Sequence, residues 1–457
     1  MRKIVRGVAL VGIGMLGIIF SNPKTLYSQA ANNPNTPIEH IIVLMQENHT
    51  FDNYFGTCPG ADGFPEGTCV PVNPFDPENN DCVEPFHIGE SAIEDLDHSR
   101  RTHRLQYNGG RMDGFIHALN LLNQEGSLAM GYYDDRDIPF YWNLADEYVL
   151  FDQFFSSASA GSFLNHLYWV AGQPGKGEDK ATAEGLGDNI PTIFDRLEER
   201  GVSWKFYINK YDPNLTYRSL VEGAPRPPQV EWVPLLSMDR YVDDPTLFSK
   251  IVDFNQYYDD LASGNLPAVS YVKVIGQSEH PPASLSAGQL AARTMINALM
   301  QSSHWEKSVF FVTYDDWGGW YDHVPPPQVD DYGYGFRVPA FMVSPYAKQG
   351  YIDSTILDYT SILRFIEENW DLEPLSVRDS KANNFLDGFD FTQEPRPPQI
   401  IPSQRYVGVK ESDPNTTLIS LAYAACFVLA VAVILWARMR GSVDDIGKYK
   451  SNNRDGS

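Results

Sequence analysis

The chain has 457 residues, of which 43% are hydrophobic and 13% aromatic, so it can bury a core large enough for one or two domains. Its 59 acidic residues outnumber its 35 basic residues and give a formal net charge of −24. This balance excludes the basic phosphate-binding face of nucleic-acid-binding proteins, and we expect no nucleic acid partner.

Both ends of the chain have patterns typical of targeting segments. Residues 1–30 combine basic residues with an apolar run from Gly7 to Phe20, which predicts a secretory signal peptide, with an uncleaved anchor as the alternative. Near the other end, Leu418 to Ala437 carry no charge and are long enough to cross a bilayer as a helix. Arg438 and Arg440 follow directly and place the tail in the cytoplasm. A buried core helix is the alternative for this run.

These patterns divide the chain into five parts. A signal peptide at 1–30 precedes a domain at 31–393, a proline-rich stalk at 394–416, a transmembrane helix at 417–437 and a tail at 438–457. We therefore expect a single-pass protein of the cell membrane, held there by its C-terminal helix, whose large domain is extracytoplasmic.

The first predicted core strand leads directly into polar side chains. Ile41 to Met45 form an unbroken apolar run, typical of a strand buried on both faces, and Glu47, Asn48 and His49 follow it. Open α/β sheets place their active sites beyond the carboxyl ends of strands, so this loop is a candidate site. An ordinary polar loop is the alternative.

Three of the four cysteines lie in a segment rich in proline, glycine and asparagine, which predicts a long surface loop. Three thiols allow one intramolecular disulfide, and the spacing disfavours a zinc site because it lacks a C-x-x-C pair. We expect Cys69–Cys82 with Cys58 free, although Cys58 and Cys69 are at least as close in sequence.

Strands and helices alternate through the rest of the domain. Strands are predicted at Val149–Phe155, Trp204–Ile208, Ala268–Val274, Ser308–Tyr314 and from Ala340 onward. Helices are predicted at Ile138–Tyr148, Ile193–Arg200, Phe254–Ala262, Ala287–Met300 and Leu357–Asn369. This alternation predicts an α/β fold with a largely parallel sheet.

Reactive side chains stand next to three of these strands. Ser162 lies where small residues lead from a strand into a helix, at a turn whose amides can hold an anion; a structural serine is the alternative. His280 follows the strand Ala268–Val274, and Asp315 and Asp316 follow the strand Ser308–Tyr314. Two strands that end in paired oxygen ligands predict one metal site assembled from distant parts of the chain.

Together these segments resemble the phosphoesterase family, which joins bacterial phosphatidylcholine-type phospholipases C with a group of acid phosphatases. The motifs that carry the resemblance are Glu47–Gly56, Ser162–His166, Glu279–Pro282, Thr313–Gly319 and Asp322–Pro327. The resemblance covers residues 38–392. It implies an alkaline-phosphatase-like three-layer sandwich with a largely parallel central sheet.

The resemblance also assigns roles to individual residues. The metal ligands fall on Glu47, Asn48, Asp315 and Asp316. The nucleophile falls on Ser162, which would form a phosphoseryl intermediate, and His280 would clamp the phosphate or protonate the leaving oxygen. The side chains expected to bind substrate are His98, Asn165 and His323.

We therefore expect a membrane-anchored, extracytoplasmic hydrolase that uses a divalent metal ion. Its substrate is a phosphate ester, either a phospholipid head group or a soluble phosphomonoester. His166 stands where many of the phospholipases carry arginine, which favours the acid phosphatase branch. Oxygen ligands permit Ca²⁺, Mg²⁺ or Mn²⁺ and do not exclude Zn²⁺. A catalytically silent cell-surface binding protein with the same fold is the alternative.

Overall fold

The computed structural model describes residues 33–405 apart from 77, 79, 80, 91, 92 and 178. The strands of this part are β1 His40–Gln46, β2 Val70–Pro71, β3 Cys82–Val83, β4 Phe86–His87, β5 Gly131–Tyr132, β6 Val149–Phe151, β7 Trp204–Ile208, β8 Ile251–Asp253, β9 Val269–Lys273, β10 Ser308–Tyr314, β11 Ala340–Val343 and β12 Tyr351–Asp353. The α-helices are α1 Phe51–Phe55, α2 Arg100–Tyr107, α3 Phe115–Asn120, α4 Pro139–Glu147, α5 Ser162–Ala171, α6 Ile193–Arg200, α7 Pro228–Trp232, α8 Asp239–Asp243, α9 Pro245–Phe248, α10 Asn255–Ser263, α11 Leu285–Met300, α12 Tyr359–Asn369 and α13 Val377–Lys381.

Eight of the strands form one sheet in the order β12-β6-β11-β10-β1-β9-β7-β8. Strand β1 pairs in parallel with β10 on one side and with β9 on the other. Only β11 breaks the parallel pattern within this sheet, because it runs antiparallel to β10 and to β6. The predicted α/β fold with a largely parallel sheet is confirmed.

Helices cover both faces of this sheet. In β7, Phe206 packs against Trp169 of α5 and Phe194 of α6, whereas the next residue, Tyr207, packs against Tyr257 of α10. Successive side chains of a strand point to opposite faces, so α5 and α6 lie on one face and α10 on the other. The arrangement has the three layers that were expected.

The sequence of β1 explains its central position. The side chains from Ile41 to Met45 are all fully buried, as a strand covered by helices on both faces requires. A second, smaller hydrophobic cluster lies apart from this main core, and we call it the small cluster. Its buried members are Val70, Leu96, Met112, Phe115, Ile116, Leu119, Ala129, Met130, Trp317, Trp320, Tyr321 and Phe336.

Cys69 and Cys82 form the predicted disulfide, and Cys58 is free. The disulfide joins β2 to β3, which pair as a short antiparallel ribbon. The segment predicted as one long loop therefore contains short strands that the bridge holds together.

The prediction of a C-terminal transmembrane helix is contradicted. In the part of the chain that the structure describes, no helix combines the length and the apolar character needed to cross a membrane. The predicted single-pass membrane location depended on that helix and is corrected with it. The prediction relied only on the length and apolar character of a run in the sequence, and no described helix has both properties. The signal peptide at 1–30, the membrane helix at 417–437 and the tail at 438–457 were predicted on residues outside the described ones.

The predicted stalk at 394–416 begins as a packed segment. Ile401 is fully buried, and its backbone amide donates a hydrogen bond of 3.1 Å to Oδ1 of Asn297. Trp305 donates from Nε1 to the carbonyl of Arg396 at 2.9 Å. The described residues from 394 to 405 thus lie against the domain.

Candidate functional site

The two predicted ligand pairs leave the sheet side by side. Strands β1 and β10 are in register, so that Gln46 lies opposite Tyr314, and the next residues are Glu47 and Asp315. The amide of Asp315 donates to the carbonyl of Gln46 at 3.1 Å, and the amide of Asn48 donates to Oδ1 of Asp315 at 3.2 Å. The structure therefore brings these ligand pairs together at one edge, as the two apolar runs predicted.

Ser162 is the first residue of α5 and faces the same edge. Its hydroxyl donates a hydrogen bond of 3.2 Å to Oδ2 of Asp316. The side chain of Asn165 stabilises the turn before Ser162. Its Nδ2 donates to the carbonyl of Ala160 at 2.8 Å, and its Oδ1 accepts from the backbone amide of Ala158 at 2.9 Å. Asn165 is fully buried, so the structure places it inside the turn, where it positions Ser162.

His166 adds a nitrogen to the oxygen ligands. Its Nε2 lies 3.5 Å from Oε1 of Glu47, and its Nδ1 lies 3.8 Å from Oδ2 of Asp315. One ligand atom from each of these three fully buried residues lies within 4.8 Å of the others. His166 also donates from Nδ1 to the carbonyl of Ser162 at 2.7 Å, so its Nε2 lone pair faces a carboxylate oxygen.

This donor set fits a divalent cation. Among the described residues, Oε2 of Glu47, Oδ1 of Asn48, Oδ2 of Asp315 and Nε2 of His166 are buried without a hydrogen-bond partner. Buried polar atoms are normally paired, and the unpaired acceptors of Glu47, Asp315 and His166, three residues whose ligand atoms lie within 4.8 Å of one another, are unfavourable unless a cation lies among them. Carboxylate, amide and imidazole groups are also the ligand types that divalent metals take.

The charges of the site act strongly on one another. Burial raises the pKa of Glu47 well above its ordinary value, and the neighbouring Asp315 raises it further. Burial and Asp315 together raise the pKa of Asp316 to about 8. Burial lowers the pKa of His166 to about 3, so this imidazole is neutral. For His98, burial lowers the pKa, but nearby carboxylates led by Asp316 outweigh it and raise the pKa to about 9.

Lys273 is a site residue that the sequence analysis missed. Its fully buried ammonium group contacts Oε1 of Glu47, donates to the carbonyl of Met45 at 3.1 Å and lies 5.0 Å from the ring centroid of Trp232. A lysine at the end of an apolar strand could have indicated this role, because lysine is almost never fully buried without a charged partner.

A cavity of about 660 Å³ opens beside Ser162. His98 and His280 both line it, with their ring centroids 6.1 Å apart. His280 donates from Nδ1 to the carbonyl of Pro281 at 2.6 Å, which leaves Nε2 for other contacts. The remaining lining residues are Asp95, Leu96, Asp97, Ser99, Arg100, Leu122, Gln124, Gly161, Phe163, Asp179, Glu231 and Trp232.

The structure places His323 in a different cluster. Its Nδ1 lies 2.7 Å from Oδ2 of Asp52, and its Nε2 lies 3.3 Å from Oδ1 of Asp62. Arg337 completes this cluster by donating to Oδ1 of Asp322 at 2.8 Å and to Oδ1 of Asp52 at 3.0 Å. His323 is not among the residues that line the cavity.

Comparisons with known proteins agree with the motifs of the site. The model of the phosphoesterase family matches residues 38–373. Phospholipase C A of Mycobacterium tuberculosis is 29% identical, over 79% of this chain and 78% of that protein. Non-specific phospholipase C1 of Arabidopsis thaliana is 26% identical, over 92% of this chain and 84% of that protein.

One similar solved structure is a protein in the alkaline phosphatase superfamily from Vibrio parahaemolyticus. It is 12% identical, covers 77% of this chain and 71% of its own, and has a TM-score of 0.36. The family match, in contrast, extends over most of the chain and includes the segments that carry Glu47, Ser162 and Asp316. The chain therefore belongs to the phosphoesterase family and is a hydrolase that acts on phosphoric ester bonds.

Proposed function

We propose that the chain cleaves phosphoric esters through a phosphoseryl intermediate on Ser162, next to a divalent cation held by Glu47, Asn48, Asp315 and Asp316. The observation that carries this proposal is the Ser162 hydroxyl, 3.2 Å from Asp316 and beside converging buried ligand atoms that lack hydrogen-bond partners. A bound cation would polarise a phosphoryl oxygen and offset the negative charge of the carboxylates. His166 supplies a further ligand atom, a nitrogen, which extends the candidate metals to zinc.

The residues around Ser162 account for the displacement at phosphorus. Oγ of Ser162 forms the new bond to phosphorus while the bond from phosphorus to the leaving oxygen breaks. In its ionised form, Asp316 accepts the hydroxyl hydrogen bond at Oδ2 and takes the proton that Ser162 releases. Ser162 begins α5, so the first backbone amides of this helix are available to the phosphate oxygens. In the second step a water oxygen bonds to phosphorus while the bond from phosphorus to Oγ breaks, Asp316 returns its proton to Oγ, and the phosphate product leaves.

His280 is the candidate general acid. Its Nδ1 donates to the carbonyl of Pro281, so a proton on Nε2 can pass to the leaving oxygen in the cavity. His98 lies on the same cavity, and its raised pKa favours the cationic form, which binds phosphate oxygens. These two histidines therefore have separate roles, one toward the leaving group and one toward the phosphate.

The cavity wall favours a zwitterionic ester. Asp179 and Glu231 line the cavity together with the indole of Trp232. Carboxylates and an aromatic face attract a cation, and a quaternary ammonium group gains roughly 0.5–2 kcal/mol from such a face. A phosphodiester that carries a cationic alcohol, such as a phosphorylcholine ester, fits this wall better than a phosphomonoester with its higher negative charge. The proposed reaction is therefore of the phospholipase C type, in line with the names of the similar proteins.

Two chromogenic substrates test the substrate class. We expect p-nitrophenyl phosphorylcholine to be cleaved with a higher kcat/KM than p-nitrophenyl phosphate, and both activities to disappear with a chelator. Trp232→Ala should raise KM more for the phosphorylcholine ester than for p-nitrophenyl phosphate, whereas Trp305→Ala, a buried tryptophan that does not line the cavity, should leave the ratio of the two activities unchanged. Preference for p-nitrophenyl phosphate would favour a phosphomonoesterase. Absence of turnover of both substrates across a series of metals would favour a silent binding protein.

The role of His280 has its own test. His280→Ala should lower kcat roughly 10²–10⁴-fold for esters with poor leaving groups, which need a proton. For p-nitrophenyl esters the loss should be much smaller, because p-nitrophenolate leaves without one. Equal losses on both kinds of ester would contradict the role of general acid.

A further inference from the structure

Glu279 is a buried carboxylate with no part in the proposed chemistry. Three tyrosine hydroxyls donate to it: Tyr54 and Tyr314 to Oε2 at 2.6 and 2.7 Å, and Tyr141 to Oε1 at 2.6 Å. The side chain is fully buried. Three hydrogen bonds to one buried carboxyl group fix the position of this side chain.

Two of the three tyrosines lie close in sequence to the proposed metal ligands. Tyr54 lies on α1, directly after the loop that holds Glu47 and Asn48, and Tyr314 is the last residue of β10, immediately before Asp315. Tyr141 lies on α4. Glu279 itself immediately precedes His280. Its hydrogen bonds to Tyr54 and Tyr314 therefore link the proposed general acid to the segment that follows β1 and to the end of β10.

The backbone at Glu279 is also held in one conformation. Its φ of +68° lies in the left-handed region, which is unfavourable for a residue other than glycine and persists only where the surrounding contacts enforce it. One residue earlier, the carbonyl of Ser278 accepts a hydrogen bond of 2.8 Å from the amide of Glu47. The chain therefore enters His280 in a direction set by the anchored Glu279.

Helix α11 leaves space for this anchor. A Cβ atom on Gly288 would come within 2.1 Å of Cγ of Glu279, so any other residue at 288 would displace the carboxylate. Gly288 lies inside a helix of 16 residues, where glycine is less favourable than alanine. The close contact with Glu279 gives a physical reason for glycine at this position.

We propose that Glu279 is a positioning residue that holds His280 toward the leaving oxygen through its three tyrosine hydrogen bonds. This inference rests on the proposed function, because it needs His280 to be the general acid. A displaced histidine loses proton transfer first, and a misplacement of about 1 Å costs roughly 10²-fold in rate.

The first test compares leaving groups. Glu279→Gln, Gly288→Ala and Tyr141→Phe should each lower kcat about 10- to 100-fold for an alkyl phosphorylcholine ester, with KM unchanged. The same variants should stay within about 3-fold of wild type on p-nitrophenyl phosphorylcholine, since this ester needs no proton. Gly288→Ala and Tyr141→Phe leave Glu279 itself intact, so the test holds if Glu279→Gln does not fold.

Two control variants separate positioning from general destabilisation. Glu367→Gln changes another buried carboxylate that does not line the cavity, and Ser286→Ala adds no bulk on the exposed face of α11. Both should keep the activity of wild type on both esters. Equal losses on the two esters for Glu279→Gln, Gly288→Ala and Tyr141→Phe would overturn the proposal and assign Glu279 to stability alone.

The second test is a double-mutant cycle between Glu279→Gln and His280→Ala. If Glu279 acts through His280, the double variant should be no slower on the alkyl ester than His280→Ala. Fully additive losses would overturn the positioning role and leave the general acid standing. A His280→Ala enzyme without any loss would overturn the general acid itself, and the two failures are therefore distinguishable.

Discussion

The hydroxyl of Ser162 donates a hydrogen bond of 3.2 Å to Oδ2 of Asp316, although the two residues are 154 positions apart in the chain. The contact joins the start of α5 to the end of β10, the two elements that supply the proposed nucleophile and part of the proposed metal site. A substitution at Ser162 therefore separates the covalent step from metal binding, whereas a substitution at Asp316 should affect both.

Ser162→Ala removes the proposed nucleophile and leaves every ligand group in place. We expect turnover to fall roughly 10³-fold or more while the metal affinity and the melting temperature stay at the wild-type values. Ser263→Ala, at the end of α10, is the matched control and should be fully active. A Ser162→Ala enzyme near the wild-type rate would make water the nucleophile in place of serine.

Glu47→Gln and Asp315→Asn reduce the negative charge of the ligand set. We expect both variants to bind the divalent cation more weakly and to lose activity in parallel. A ligand at 100 times its Kd stabilises the native state by about 2.7 kcal/mol, so the melting temperature of the wild type should rise with added metal and that of the variants should rise less. Glu39→Gln, beside the other end of β1, should respond to metal like the wild type. Unchanged metal titrations in both variants would remove these residues from the site.

Arg337 is fully buried between Asp52 and Asp322, and its removal leaves two buried carboxylates without their cation. Arg337→Met should lower the free energy of unfolding by about 3–5 kcal/mol, measured by denaturant titration. Arg111→Met breaks an ion pair with Asp113 in which the arginine side chain is 60% exposed. This variant should lower the free energy of unfolding by less than about 1 kcal/mol. Similar values for the two variants would show that the buried cluster adds no stability.

Glu279 makes the free energy of unfolding depend on pH. Burial raises its pKa from 4.5 to about 7, although the hydrogen bonds of the tyrosines act in the opposite direction. Between these values the folded state holds a proton that the unfolded state has released, so the contribution of Glu279 to stability is largest below pH 4.5 and falls as the pH rises to about 7. The loss is on the order of 3 kcal/mol. Glu279→Gln should remove this slope, and an unchanged slope in that variant would assign the dependence to other groups.

The sequence predicted the centre of the sheet well. Strand Ser308–Tyr314 has the bounds that its apolar run predicted, and β1 extends its predicted run by one residue at each end. Strands buried on both faces are continuous apolar runs, so they can be predicted from a single sequence. The short strands at the two edges, Ile251–Asp253 and Tyr351–Asp353, were not predicted, because three residues carry too little pattern.

Contacts between distant residues were beyond what the local pattern could predict. Lys273 was predicted only as part of a strand, because no residue near it in the sequence indicates that it contacts Glu47. His323 belongs to a motif that resembles the family, yet its partners are Asp52 and Asp62. A motif predicts that a residue is needed, whereas the packing of the whole domain determines what it touches.

The cavity is lined by segments that pack on two different hydrophobic clusters. The wall that bears Asp95, Asp97 and His98 rests on this cluster through Leu96 and Trp317. Ser162, in contrast, belongs to a helix packed on the main core. Substitutions within the small cluster should therefore shift His98, the proposed phosphate-binding histidine, before they shift Ser162.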